Sequence, residues 1–298
     1  MPPPSRPEPP VTVTPDLLRN WPLPAPEGGK ESRGRTLIIG GSAQTPGAIL
    51  LAAEAALRSG AGKLQVATAA GVASHVAVAL PEALVQGLPE SESGALHPRG
   101  VEELAELVRD ASAVLVGPGM ADAAGSARFV AALLPEVEGP VVLDALALAR
   151  ITEDPTCLHQ VGARAVLTPN PDELAKMLGI EPDEVGADPA GAVRALADET
   201  KAVVALGGAT SWVAAPDGSW WCDHSGSTGL GVSGSGDVRA GIVAGLLARG
   251  AAADQAAVWS AHLHGRAGER LAAAVGKVGY LARELPPEVP RALAEIEL

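Results

Sequence analysis

Seven residues late in the 298-residue chain, Gly231-Val232-Ser233-Gly234-Ser235-Gly236-Asp237, stand directly before a long run of Ala, Leu, Val and Gly. Glycines let a backbone approach an anion closely, and the unpaired amides at a helix start point toward it. A carboxylate at that junction, within reach of a substrate hydroxyl, can take the hydroxyl proton while the amides stabilise charge on a transferring phosphate. The competing reading is a flexible glycine loop with Asp237 as an ordinary N-cap. Its place behind a series of strand and helix units and a hairpin favours the first, which makes Asp237 the candidate catalytic base.

A second group is Thr168-Pro169-Asn170-Pro171-Asp172-Glu173, between an apolar run and a helical pattern. Oxygen-bearing side chains there suit a hydrated magnesium beside phosphates, because that ion keeps several waters and uses few carboxylates; Glu173 is the candidate contact, through water. The same spacing also reads as a capping box with Asn170 as N-cap and Glu173 at the third helical position. Asp144 ends an apolar strand, where an isolated carboxylate is costly unless solvated or functional, so it joins the candidates. His264 sits in a helical pattern and reads as a core or capping histidine. Trp220-Trp221 reads as hairpin packing, with base stacking as the alternative. Gly40-Gly41-Ser42 and Gly117-Pro118-Gly119 are strand-end turns.

The elements that must position these groups alternate. Leu37-Ile38-Ile39 predicts a buried strand running into a glycine turn, and Pro46 to Ser59 a helix with Pro in its first turn and Gly60 after it. Further strands are expected at 64–68, 113–116, 141–144, 165–167 and 203–206, between helical patterns near 101–109, 124–134 and 172–178. The runs 211–215 and 219–223, joined by Pro216-Asp217-Gly218, predict a hairpin. Helices over 237–248 and about 253–273 follow. Continuous apolar strands between helices imply an α/β fold, a mostly parallel sheet covered on both faces. The loops after Ile39, Val116, Leu143, Leu167 and Leu206 then share one crevice at the carboxyl ends of the strands.

Composition bounds the partners. With 47% hydrophobic residues, the chain can bury a large core, read as one domain over 31–298 behind an N-terminal extension, 1–30. The net charge of -13, without clustered Lys and Arg, excludes nucleic acid. A small phosphorylated ligand remains possible if amides, a helix N-terminus and a divalent cation supply positive field locally. No apolar stretch reaches the roughly 20 residues of a membrane span. Met1 to Pro7 lacks the apolar run of a secretory signal and reads as a disordered or surface-draped arm. Cys157 and Cys222 lack zinc-ligand spacing and read as idle thiols of a reducing compartment, consistent with the cytoplasm. A homo-oligomer is expected.

Taken in order, the motifs resemble the NAD(P)H-hydrate dehydratases, a branch of the ribokinase-like superfamily, from about Val11 to the C-terminus. The likeness rests on Gly34-Arg35, Leu37 to Ser42, Gly47-Ala48, Ala56 to Gly62, Val116 to Gly119, Val142 to Ala145, Thr168 to Glu173, Gly234 to Val238 and Gly241 to Gly250. It implies a three-layer α/β/α sandwich. It also implies that ADP or ATP phosphorylates the hydroxyl of hydrated NADH or NADPH with Asp237 as base, after which phosphate leaves and the reduced cofactor returns. Ala48, Gly119, Asp144, Asn170 and Asp237 would face the hydrate, and Gly207, Gly208, Gly234, Ser235 and Gly236 the nucleotide, with Mg2+ as cofactor. Gly207 replaces a lysine usual in the family, Asn170 a histidine, and the loop 225–233 lacks the family's asparagines. Two other expectations stand beside this one: a kinase of hydroxymethyl or hydroxyethyl heterocycles, and a nucleotide-binding homologue without turnover.

Overall fold

The computed structural model describes residues 9–25 and 28–297. The arm expected at Met1 to Pro7 lies outside them. The chain begins with β1 (Val11–Thr12), α1 (Pro15–Asn20), β2 (Arg35–Ile39), α2 (Pro46–Arg58), β3 (Lys63–Ala69), α3 (Ala70–Ala79) and β4 (Ala83–Leu88). It continues through α4 (Gly100–Glu103), α5 (Ala105–Asp110), β5 (Ala113–Val116), α6 (Ala123–Leu133), β6 (Val141–Leu143), α7 (Leu148–Glu153) and β7 (Ala165–Leu167). Then come α8 (Pro171–Leu178), α9 (Pro182–Ala187), α10 (Pro189–Thr200), β8 (Val203–Leu206), β9 (Ser211–Ala214) and β10 (Trp220–Asp223). Three helices, α11 (Ser235–Ala248), α12 (Ala253–Ala274) and α13 (Val289–Glu297), close the chain.

Among the described residues, ten strands form one sheet in the order β1-β10-β9-β8-β7-β6-β5-β2-β3-β4. Every pairing is parallel except those of β9 with β8 and β10. Because side chains alternate across a strand, each apolar run feeds two cores. Ile38, Leu115, Val142, Val166 and Val203 face the side covered by α2, α11, α12 and α13. Their neighbours Leu37, Val114, Leu143, Leu167 and Val204 face α5, α6, α7, α8 and α10. The result is the expected three-layer sandwich.

Strands β2, β5, β6, β7 and β8 lie side by side and parallel, so the loops that follow them do meet at one edge. The chain leaves β2 outward through β3 and β4 and returns to β5 on the other side, which makes the β2–β5 gap the switch point where α/β sheets bind ligands. The loops there are knitted together: Gly41 N donates to Pro118 O at 2.8 Å, and Thr45 Oγ1 to Gly119 O at 2.9 Å.

Several elements differ from the reading of the sequence. The edges of the sheet, β1 and β4, were not expected. The pattern at 101–109 breaks at Leu104 into α4 and α5. The strand expected at 141–144 stops at Leu143, one residue short of Asp144. Part of the N-terminal extension is built into the body: Val11 and Thr12 pair with Trp221 and Cys222, and Leu18 is fully buried. Trp21 stacks on Trp221 at 5.8 Å between ring centroids, while its carbonyl accepts from the Trp259 indole at 3.0 Å. Trp220 stacks instead on Trp212 and lies under Arg194, so both tryptophans pack the hairpin rather than a base. Among the described residues, no helix is long and apolar enough to cross a membrane. Both cysteines are free, and burial pushes the Cys157 thiol up to about 11, leaving it protonated at neutral pH.

Candidate active site

Helix α11 starts at Ser235, two residues before the start expected from the sequence, with Gly234 as its N-cap at φ 90°. That left-handed conformation favours glycine. A side chain there would also run into Leu51 of α2. Asp237 is therefore not the N-cap; it sits at the third helical position, in a first turn where Ser235 N bonds Val232 O at 3.1 Å and the amides of Gly236 and Asp237 are left for a ligand. A Cβ on Gly236 would meet nothing within 4 Å, so the backbone there is open to a ligand.

Nearly all of α11 beyond its first turn is buried, and it packs against α2 without side chains between the two backbones. A methyl group on Gly241 would overlap the carbonyl of Ala52, and one on Gly245 that of Ala56. Glycines facing alanines thus set the height of Asp237 above the sheet. At the other side of the helix start, Ser235 Oγ hydrogen-bonds His264 Nε2 at 2.9 Å. Burial, with Arg239 close by, pulls His264 down to about 3, so the ring is neutral.

The loop leading to α11 is anchored at its root. His262 Nδ1 and Asp223 Oδ2 are 2.8 Å apart and both residues are buried, while Ser225 N and Oγ donate to the other oxygen of Asp223. Further along, Ser227 Oγ and Tyr280 Oη share a hydrogen bond of 2.7 Å. Between this loop, the β8–β9 connection and α12 lies a cleft of about 710 Å³. Asn170, Gly207, Gly208, Ser235 and Gly236 line it, and so do Arg239 and His264. The nucleotide-side candidates meet there, apart from Gly234, which lies just behind on the α2 side.

The substrate-side candidates divide. Ala48 and Gly119 touch each other at the switch point: Gly119 has φ 69°, and a Cβ on it would meet that of Ala48 at 3.0 Å. They do not line the cleft. Asp144 is buried, accepts from Thr168 Oγ1 at 2.7 Å, and is pushed up from the usual carboxylate range by burial. Asn170 and Glu173 form the capping box, each backbone N–H donating to the other's side chain at 2.9 Å. Glu173 is also raised by burial first, with Asp144 adding to it. These acids meet electrostatically at Asp237: burial, then Asp144, then Glu173 push its carboxyl up to about 7. A half-buried carboxylate poised near neutral pH is the state a general base requires.

No group of three His, Cys, Asp or Glu side chains among the described residues could cage a metal. Glu173 has given one oxygen to Asn170 N and keeps the other. A directly ligated ion does not fit these residues, whereas one that keeps its waters and is held chiefly by phosphate oxygens does.

A family model described as NAD(P)H-hydrate dehydratase matches residues 36–291. The chain belongs to the NAD(P)H-hydrate dehydratase family. It is 48% identical over 279 residues, 94% of each chain, to the ADP-dependent (S)-NAD(P)H-hydrate dehydratase of Xanthomonas campestris. The ADP/ATP-dependent NAD(P)H-hydrate dehydratase of Bacillus subtilis, co-crystallised with ATP and Mg2+, superposes with a TM-score of 0.81 at 28% identity, covering 96% of this chain and 99% of that one. A ribokinase-like protein of Enterococcus faecalis superposes at 0.80 with 21% identity over 96% of each chain, which supports the ribokinase-like fold. The chain spans about half the length of the bifunctional NAD(P)H-hydrate repair enzymes it also matches. Membership of the dehydratase family selects that expectation over a heterocycle kinase.

Sequence reasoning passed over Arg239 and gave His264 no part in the site. The signal for Arg239 was present: a lone cation inside an otherwise apolar helix, two residues after the candidate base.

Proposed function

We propose that this chain dehydrates hydrated NADH or NADPH at the expense of ADP or ATP, with Asp237 as the base. The observation that carries the reading is the Asp237 carboxyl, half-buried and raised to about 7, in the first turn of α11 beside the cleft. The substrate hydroxyl gives its proton to Asp237 as its oxygen bonds to the terminal phosphorus, and the phosphorus–oxygen bond to AMP or ADP breaks. The lone pair of the ring nitrogen then expels phosphate from the neighbouring carbon, and loss of a proton from the adjacent ring carbon restores the reduced nicotinamide. Phosphorylation is needed because hydroxide is a poor leaving group.

The first-turn amides of α11 would hold the transferring phosphate, with Gly207, Gly208, Gly234, Ser235 and Gly236 shaping the nucleotide side. Ala48, Gly119, Asp144 and Asn170 would face the hydrate. Mg2+, placed by Glu173 through water, would supply charge neutralisation on the phosphates. We place the protein in the cytoplasm as a homo-oligomer. Support for self-association is the terminal strand β4, where Leu84 and the nearby Val78 are 53% and 85% exposed. Sedimentation as a monomer at all concentrations would remove that part.

The decisive assay mixes the protein with hydrated NADH, magnesium and ADP or ATP. Absorbance of the reduced ring returns if the reading is right. A nucleotide-binding homologue without turnover would instead give saturable ADP binding by calorimetry and no return of absorbance with any hydrate.

A further inference from the structure

We infer that Arg239 binds the phosphates of the nucleotide from within α11, and that position 207 is glycine to make room for its guanidinium. This rests on the nucleotide-dependent reading above. Arg239 is 6% exposed, and its neighbours Val238, Ala240 and Gly241 are buried. Its Nη2 donates to the carbonyls of Thr168 and Pro169, at 3.3 Å each, which aims the planar group at the end of β7. Its Nε is buried with no acceptor. Among the described residues, those two carbonyls are its only hydrogen-bonding partners and it makes no ion pair.

Such a group is costly to bury. A guanidinium keeps its charge, and one held out of water needs its N–H donors satisfied by an anion. The nearest carboxylates, Asp144 and Glu173, support its charge through space while burial works against it. Arg239 lines the cleft and is the one cationic side chain there among the described residues, His264 being neutral. In a chain of net charge -13, with two acids, Asp144 and Glu173, around the base, a diphosphate has little else there to meet but backbone amides. With Nη2 held by the two carbonyls, Nη1 is the donor left to meet a phosphate oxygen on the Gly207 side.

Gly207 gives the second, independent observation. A methyl group at its Cα would overlap Nη1 of Arg239. The loop after β8 is thus shaped around the arginine, and Gly207 and Arg239 form one device contributed by two distant parts of the chain.

The test is calorimetric titration of the full chain with ADP and, separately, adenosine. Arg239→Leu should weaken ADP binding by about 10- to 100-fold, the range for a hydrogen bond to a charged group, and leave adenosine unchanged. Gly207→Ala, which keeps the arginine but crowds its tip, should weaken ADP in the same sense. In the Arg239→Leu background it should cost nothing further, because the clash is gone. ADP binding as tight as wild type in both single variants, or equal losses for ADP and adenosine, would overturn the inference. So would a Gly207→Ala effect of equal size in both backgrounds. A wild-type protein that binds no ADP removes the nucleotide-dependent reading and this inference with it, whereas a wild type that binds ADP and variants that match it remove the inference alone.

Discussion

Replacing Asp237 by Asn separates a base from a structural carboxylate, because Asn keeps the shape and loses the proton-accepting charge. In the native protein the carboxyl is raised from 3.8 to about 7 by burial, Asp144 and Glu173. That displacement corresponds to about 4 kcal/mol by which the folded site disfavours the ionised form. Three consequences follow, with opposite signs for activity and stability. Turnover should drop by roughly 10²- to 10⁴-fold, the usual contribution of a placed proton acceptor. ADP affinity should hold or rise, since a negative charge near the phosphates has gone. Stability should improve at pH 8. Since the folded carboxyl is raised above its unfolded value, its contribution to stability is fully present below about pH 4 and is lost as pH rises through about 7. Asn never ionises, so the variant escapes that loss, by up to about 4 kcal/mol, and its melting temperature should exceed wild type at pH 8 and converge with it near pH 4. For the wild type, kcat/KM should rise with pH along a limb centred near 7. The assays are return of reduced-cofactor absorbance across pH and thermal melts of both proteins. Wild-type turnover in Asp237→Asn, with an intact fold by circular dichroism, refutes the assignment.

Other variants probe the frame around that residue. Asp144→Asn should keep the hydrogen bond from Thr168 yet remove a like charge from Asp237, so the acidic limb of kcat/KM moves to lower pH; a limb that stays put would dissociate the two acids. Gly245→Ala drives a methyl into the Ala56 carbonyl and should cost about 1–3 kcal/mol by urea unfolding, unless α11 can lift from α2. Trp21→Ala removes the stack on Trp221 and should cost about 3 kcal/mol in the same measurement.

The centre of the sheet was readable because its strands are buried on both faces, and uninterrupted runs such as Ala113 to Val116 and Val203 to Leu206 leave little choice of structure. The edges were hidden for the opposite reason. Strand β4 contains Gly87 and exposes Leu84, and β1 is two residues long, held by a partner far along the chain. Helix α11 begins earlier than expected since Gly-Ser-Gly has poor helix propensity, and its first turn is held by the Gly234 cap and the bond from Ser235 to His264. The capping box at Asn170 was legible because it is local. The reason for glycine at 207 was not, for it lies in the tip of an arginine on another element. Local spacing revealed the base, but the charges that tune it, Asp144 and Glu173, come together only through the sheet order.

The pairing of β1 with β10 has a consequence for synthesis on the ribosome. Thr12 meets Cys222 across 210 intervening steps of chain, and Trp21 waits for both Trp221 and Trp259. At roughly 5–20 residues per second, the first strand emerges about 10–40 s before its partner exists. During that interval Val13 and Leu18 have no native surface to cover them, while the strands between add from the β4 edge toward β10. Strand β1 is thus docked long after it is made, so a nascent chain halted before the hairpin would leave β1 free to pair with another chain.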